Sequence, residues 1–345
     1  MSSLADYTTL GLGGPAKAFV AATSRAGLIE PVRAADAAGE PVLILGGGSN
    51  LVIADEGFPG TVVHVNTRGV GYAEAADGQV DVSVEAGEDW DDVVAAAVAE
   101  GLAGLECMSG IPGQVGATPI QNVGAYGHEV AEVIHSVRVF DRRTGNKQLI
   151  PNGSCCFAYR TSYFKQNPAR YVVLAVTFRL TRDLLSMPVK YAELAAELGV
   201  EMGERAGVTD VRSAVLKIRG RKGMVLNPGD PDTRSAGSFF TNPVLDAEQF
   251  ARLAAAAAVP VPRFDAGEGR VKVPAAWLIE HAGFGKGYGA PSPARVSSKH
   301  TLALINAGGA TTADVLGLAR EIRDGVRAAF GVTLEPEPTL VGATL

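Results

Sequence analysis

The stretch GLECMSGIPGQVGATPIQNVGAYGH, centred on residues 105–127, carries too many glycines for a helix and too few β-branched residues for a long strand. Gly110, Gly113, Gly116, Gly124 and Gly127 remove side chains where backbone must come close to something. Thr118, Gln121 and Asn122 are expected to bring hydrogen-bonding groups to the same surface. A large polar ligand bearing phosphates fits that description. A glycine-rich loop with no ligand is the alternative that this stretch alone leaves open.

A second glycine cluster precedes it. Residues 41–45 read as a buried strand that runs straight into Gly46-Gly47-Gly48-Ser49-Asn50 and then into Leu51-Val52-Ile53. Backbone N–H groups of such a turn, with Ser49 and Asn50 beside them, form an anion nest. This is no dinucleotide-binding Rossmann turn, because Leu51 stands where the last glycine is required, and no Walker A loop, because no lysine follows. The earlier run Gly11 to Ala16 matches G-x-G-x-x-A only formally, since ADYTTL before it is not a buried strand. It reads as a close turn into a strand over 17–21.

Around these loops the apolar spacing predicts helices over 24–38 and 89–100, and strands over 61–65, 80–86, 136–141, 148–150 and 171–180, with a charged turn between 65 and 80. From Pro188 the pattern turns helical, over 191–198 and 208–219. Residues 227–232, NPGDPD, read as a linker to a third unit with helices over 246–258, 274–281 and 312–330 and a strand over 302–305. At 345 residues, two or three domains are the default.

The net charge of −6 gives no general attraction to nucleic acid or an anionic membrane, so phosphate must be held locally. The N-terminus lacks the pattern of a signal peptide and no run approaches the ~18 apolar residues of a membrane span, so a cytoplasmic protein is expected. Cys107, Cys155 and Cys156 have neither disulfide nor zinc spacing, and Cys107 reads as a buried thiol. No metal site is expected.

Three further segments carry chemistry. Tyr159-Arg160-Thr-Ser-Tyr-Phe-Lys165 concentrates cations, phenols and hydroxyls, and Arg160 offers a planar fork suited to a substrate carboxylate, with a solvated polar turn as the alternative reading. Gly237-Ser238-Phe-Phe-Thr-Asn242-Pro243 sets one hydroxyl beside bulky apolar side chains, where a serine can donate or relay a proton, although a packed strand end is the commoner reading of such a motif alone. Leu334-Glu335-Pro336-Glu337-Pro338 holds carboxylates on a stiff proline frame, although inert exposed acidic residues are the commoner reading of such a segment alone.

The ordered set LILGGGSNLV, GIPGQVGATPIQNVGAYG, YRTSYFK, GSFFTNP and LEPE resembles the family of UDP-N-acetylenolpyruvoylglucosamine reductases over nearly the whole chain. The resemblance is to the group with a tyrosine-bearing substrate loop. It implies an α+β protein with the vanillyl-alcohol-oxidase (PCMH-type) FAD-binding fold: two α/β subdomains, 1–67 plus 335–345 and 68–225, and a third, α+β substrate-binding domain, 226–334. It implies non-covalent FAD, NADPH as co-substrate, a monomer, and reduction of UDP-N-acetylglucosamine enolpyruvate to UDP-N-acetylmuramate.

Carried onto this sequence, the resemblance makes Arg160, Ser238 and Glu337 catalytic. Glu337 is preferred to Glu335 because it stands five residues before Gly342. The cofactor would be held by Gly46, Gly47, Gly48, Ser49, Asn50, Ile111, Pro112, Gly113, Gly116, Ala117, Thr118 and Gly124. The substrate would meet Tyr159, Tyr191 of the P-V-x-Y segment, Lys222, Asn242 and His300. Ala117-Thr118 stands where many members carry Ser-Ser, and Pro338 replaces an aliphatic residue after the catalytic Glu. A flavin oxidase of the same fold, or a flavin and nucleotide-sugar binder without turnover, are the rival readings.

Overall fold

A run dominated by Val, Leu and aromatic residues, with polar groups confined to its ends and a few positions, makes strand Tyr171–Arg182 the spine of a six-stranded antiparallel sheet. Ile134–Asp141 and Gln79–Glu85 flank it, Asn146–Pro151 and Val70–Glu74 lie outside those, and Leu102–Ala103 pairs with its last residues. Helix Trp90–Ala99 covers this sheet. Asp89 starts the helix by accepting the amides of Asp91 and Asp92 at 2.9 and 3.3 Å, and Trp90 packs edge-on against Phe178 with ring centres 5.7 Å apart.

The computed structural model describes residues 3–345. They divide into two units, one of Ala16–Gly47 and Pro59–Val225 and the other of residues 3–15, Gly48–Phe58 and Leu226–Leu345.

The first unit also holds a three-stranded sheet in which Val42–Leu45 and Phe58–Val65 run parallel, with Ala16–Ala22 at its edge. Helix Arg25–Ala37, capped by Ser24, joins the strand Ala16–Ala22 to Val42–Leu45, at the opposite edge of this sheet. Helices Ala192–Leu198 and Val208–Arg221 bury a separate apolar cluster with Val189 and Cys107. Burial pushes the thiols of Cys107 and Cys155 up to about 12, so neither is a reactive thiolate.

In the second unit, Ser235–Ser238, Ala303–Asn306 and Ala294–Val296 form an antiparallel sheet, joined in one core by helix Thr312–Phe330. Its start is a reciprocal cap of Thr311 with Asp314. The C-terminal strand Thr339–Val341 pairs in parallel with Leu51–Ile53, the strand that leaves the GGGSN turn.

Two expectations need correction. The charged turn between residues 65 and 80 contains the strand Val70–Glu74, exposed along its whole length, so no buried face marks it in the sequence. The stretch 227–232 is not a free linker: Asp232 accepts from Ser298 Oγ at 2.6 Å and Asp230 pairs with Lys299.

Candidate functional site

Ser238 ends the strand Ser235–Ser238, opposite Ala303, after a register shift at Gly237, whose φ is +73°. Glycine adopts this left-handed conformation without strain. Phe239 and Phe240 follow, both fully buried and T-shaped to one another at 5.2 Å, and they anchor the strand end. The LEPEP segment lies antiparallel to them: Phe240 bridges Pro336, Thr241 N donates to Glu335 O at 3.0 Å, and Glu337 N donates to Phe239 O at 2.9 Å. Ser238 and Glu337 are thus brought together by backbone alone. Glu337 is half-buried, whereas Glu335 is exposed. Asn50 joins the same constellation, its Nδ2 donating to Glu337 O at 3.3 Å while its own carbonyl accepts Thr339 N at 2.9 Å.

Arg160, in the other unit, has a left-handed backbone with φ 52°. Non-glycine residues hold that conformation only when surroundings over-determine it, at a cost on the order of 1 kcal/mol. Here a tight bridge between Ala158 and Thr161 fixes the turn, Ser162 Oγ donates to Ile120 O, and Lys165 Nζ donates to Arg160 O at 3.0 Å. The guanidinium then donates to Gly124 O at 3.0 Å and Asn122 O at 3.4 Å, and lies 5.3 Å from the Tyr159 ring centre. Arg160 and the glycine-rich segment are therefore one assembly.

The glycines of that segment make the close approaches their positions suggest. A Cβ on Gly47 would sit 2.9 Å from Gly113 Cα, one on Gly46 would sit 3.1 Å from Gln114 Oε1, and one on Gly116 would sit 2.6 Å from Ala86 Cβ. The peptide of Gly110 is gripped on both sides, its amide by Asp91 at 2.6 Å and its carbonyl by the buried Arg219 at 3.3 Å; Asp91 in turn takes a two-pronged contact from Arg212 at 2.7 and 2.9 Å. Asp91 and Arg219 read in the sequence only as a helix first turn and a helix end.

Some expected donors are spent inside the chain. The amides of Gly116, Ala117 and Thr118 go to Ala86 O, Gln114 O and Val115 O, and the Thr118 hydroxyl goes to Val115 O at 2.9 Å. Asn122 does not offer its amide to a ligand surface: it is fully buried, bonding Glu129 at 2.6 Å, Ala158 O at 3.1 Å and Ala131 N at 3.1 Å. Gln114 is different. Its Oε1 is buried with no hydrogen-bond partner among the described residues, beside Gly46. An orphaned acceptor next to close-packed bare backbone fits a dinucleotide whose donors complete it.

Of the expected substrate residues, Tyr191 and Lys222 lie on neighbouring elements. Lys222 caps helix Val208–Arg221 and pairs with Glu193, two residues beyond Tyr191, and Tyr191 packs edge-on to Tyr126 at 5.5 Å. Asn242 uses its Oδ1 to accept Ala275 N at 2.8 Å at the start of a helix. His300 follows the Ser297 to Lys299 run that Asp230 and Asp232 hold, and its amide bonds Ser297 Oγ at 3.3 Å. Among the described residues no group of acidic, His and Cys side chains could hold a metal ion, and no helix is long and apolar enough to cross a membrane.

Residues 16–147 match the model of the FAD binding domain, and residues 230–341 match that of the UDP-N-acetylenolpyruvoylglucosamine reductase C-terminal domain. The UDP-N-acetylenolpyruvoylglucosamine reductase of Thermobifida fusca is 56% identical over 99% of this chain and 97% of its own. The chain belongs to the UDP-N-acetylenolpyruvoylglucosamine reductase family. The reductase of Streptomyces coelicolor is likewise 56% identical, over 99% of this chain and 90% of its own. The crystal structure of the reductase from Thermus caldophilus superimposes with a TM-score of 0.64 at 25% identity, covering 99% of this chain and 97% of that one. The expected fold, an FAD-binding domain of PCMH type with the family's C-terminal domain, is therefore the fold of this reductase.

Proposed function

We propose that Arg160, Ser238 and Glu337 carry the chemistry of this FAD-dependent reductase, which converts UDP-N-acetylglucosamine enolpyruvate to UDP-N-acetylmuramate in peptidoglycan precursor synthesis. The observation that carries the reading is the pairing of Glu337 N with Phe239 O, which holds the Glu337 backbone against the strand end that carries Ser238.

The substrate is an enol ether bearing a carboxylate, and its electron-rich double bond resists hydride attack. When bound, FAD supplies the hydride for C3, taken from NADPH. The protein must then stabilise charge developing at C2 and its carboxylate. Arg160, with its fork already oriented by Gly124 and Asn122, supplies fixed positive charge at no reorganisation cost. Ser238 Oγ delivers the proton to C2, and Glu337, in its protonated form, donates a hydrogen bond to the substrate carboxylate where charge builds up. Gly46, Gly47, Gly48, Ser49 and Asn50 hold the pyrophosphate, with Ile111, Pro112, Gly113, Gly116, Ala117, Thr118 and Gly124 walling the cofactor and Gln114 Oε1 accepting from it.

Tyr159, Tyr191, Lys222, Asn242 and His300 contact the nucleotide substrate in this reading, residues 226–334 form a substrate-binding domain, and the enzyme works as a cytoplasmic monomer. The deciding experiment is anaerobic mixing of NADPH-reduced protein with the enolpyruvyl substrate, followed by flavin absorbance. Rapid reoxidation is expected; binding without reoxidation would replace the enzyme by a binding protein. Denaturation is expected to release the flavin, because GGGSN contains no His or Cys to tether it, and retention would favour an oxidase of the same fold.

A further inference from the structure

His128 is buried at 3% exposure in the short hairpin that carries Tyr126, and both its ring nitrogens face acceptors. Nδ1 lies 2.8 Å from the Glu132 carboxylate and Nε2 lies 2.9 Å from Pro188 O. A carbonyl only accepts, so Nε2 must donate to Pro188, and an ionised carboxylate likewise requires a donor at Nδ1. Burial alone would raise the Glu132 carboxyl, but the bond to His128, its charge and that of Lys190 outweigh it and hold the group below its usual range. Glu132 also pairs with Lys190 at 3.3 Å. A chain of charge-assisted contacts therefore runs from the hairpin to both Pro188 and Lys190.

These contacts converge on the segment that ends at Tyr191. The same segment is pinned at its start by the buried carboxylate of Glu106, which accepts Met187 N at 2.8 Å, and in its middle by Val189, buried and bonded to Glu204 O at 2.8 Å. Beyond Lys190 the chain enters helix Ala192–Leu198, whose Ala195 N donates to Tyr191 O at 2.9 Å and holds the Tyr191 backbone, leaving its side chain to be placed. Tyr191 is 44% exposed, and its ring meets only the edge of Tyr126 among aromatic partners. Gly127, with φ +83°, lets the Lys190 stem lie against the hairpin, where a Cβ would come within 2.6 Å of Lys190 Cβ.

We propose that His128, Glu132 and Lys190 form a latch that positions Tyr191 over the hairpin, so that the nucleotide substrate meets a tyrosine already in place. These are positioning residues; none of them touches the reacting atoms. The inference rests on the reading of Tyr191 as a substrate contact, and the latch adds what sets that contact's geometry. Facing the His128 ring are Glu132 from its own turn and Pro188 from the strap; Lys190 faces it through Glu132.

The test is a double-mutant cycle in the flavin-loaded enzyme, with Glu132→Ala as the primary latch variant because that side chain is partly exposed. Glu132→Ala and His128→Phe are expected to raise KM for the enolpyruvyl nucleotide about three- to tenfold, as loss of pre-organisation does, with kcat, flavin content and KM for NADPH unchanged. In a Tyr191→Ala background the same substitutions should add nothing. Effects that multiply in the double mutant, or a fall in kcat with KM unmoved, would overturn the latch while leaving Tyr191 as a contact. A Tyr191→Ala enzyme with unaltered KM would instead overturn the substrate reading and the latch with it. Should His128→Phe not fold, Glu132→Ala alone decides the outcome.

Discussion

The amide of Glu337 donates to the carbonyl of Phe239 at 2.9 Å, which fixes the backbone of the half-buried Glu337 against the residue that follows Ser238. Backbone pairing of this kind survives side-chain substitution, so the roles of the two residues can be separated. Ser238→Ala is expected to keep flavin binding and flavin reduction by NADPH while reoxidation by the enolpyruvyl substrate falls on the order of 10²- to 10⁴-fold, the usual loss for a general acid. Stopped-flow absorbance of the two half-reactions measures this directly. Normal turnover would remove Ser238 as proton donor.

Arg160 presents a different kind of test, because its guanidinium is aimed by two carbonyls and its backbone is left-handed. Lysine keeps the charge but cannot donate to Gly124 O and Asn122 O in the same fork. Arg160→Lys is therefore expected to lower kcat for the enolpyruvyl half-reaction by roughly 10²-fold, with the NADPH half-reaction intact. Equal loss in both halves would place Arg160 on the flavin and not on the substrate carboxylate.

Gly47→Ala tests the close approach of the two glycine loops. The added carbon meets Gly113 backbone at 2.9 Å, and backbone cannot step aside as a flexible side chain can. Flavin content after purification should fall severalfold, with destabilisation of about 1–3 kcal/mol from overpacking. Gly71→Ala, whose Cβ meets nothing within 4 Å, is the matched control and should leave both unchanged.

Much of this site was legible in the glycines, because a missing side chain at Gly47, Gly113 and Gly116 is itself the signature of close backbone approach. Polar residues were harder. Asn122 was expected at a ligand surface but is consumed by Glu129, Ala158 and Ala131, and the Ala158 contact spans 36 residues that no local pattern records. Gln114 is the opposite case: nothing in GQVG distinguishes it, and only its buried Oε1, without a hydrogen-bond partner among the described residues, points to a ligand. The strand Val70–Glu74 escaped because exposure along its full length erases the alternation that marks a strand. The NPGDPD stretch looked like a linker because its partners, Ser298 and Lys299, lie some way downstream.

The last prediction concerns acid and the Gly110 turn. Burial by itself would raise the Asp91 carboxyl, but the Arg212 fork, the Gly110 amide and the charges of Arg212 and Arg219 together bring it below 3.8. A carboxyl depressed in the folded state contributes stability that is present above its unfolded value and is lost as pH falls through the lower folded value. The window for Asp91 therefore lies on the acid side of 3.8. Since Asp91 holds the Gly110 amide, flavin release should accompany that loss. Asp141 and Asp81 are also lowered, each mainly by its hydrogen bond to an arginine, so acid unfolding of the wild type is a sum over several groups. Asp91→Asn isolates the one that matters: at neutral pH it should unfold more easily by about 1–3 kcal/mol, the range for a hydrogen-bonded charge. On acidification, the gap between variant and wild type should narrow, because the wild type loses what the variant never had. Thermal unfolding and flavin fluorescence across this range measure both quantities, and a gap that stays constant into acid would show that Asp91 carries no linked charge in the fold.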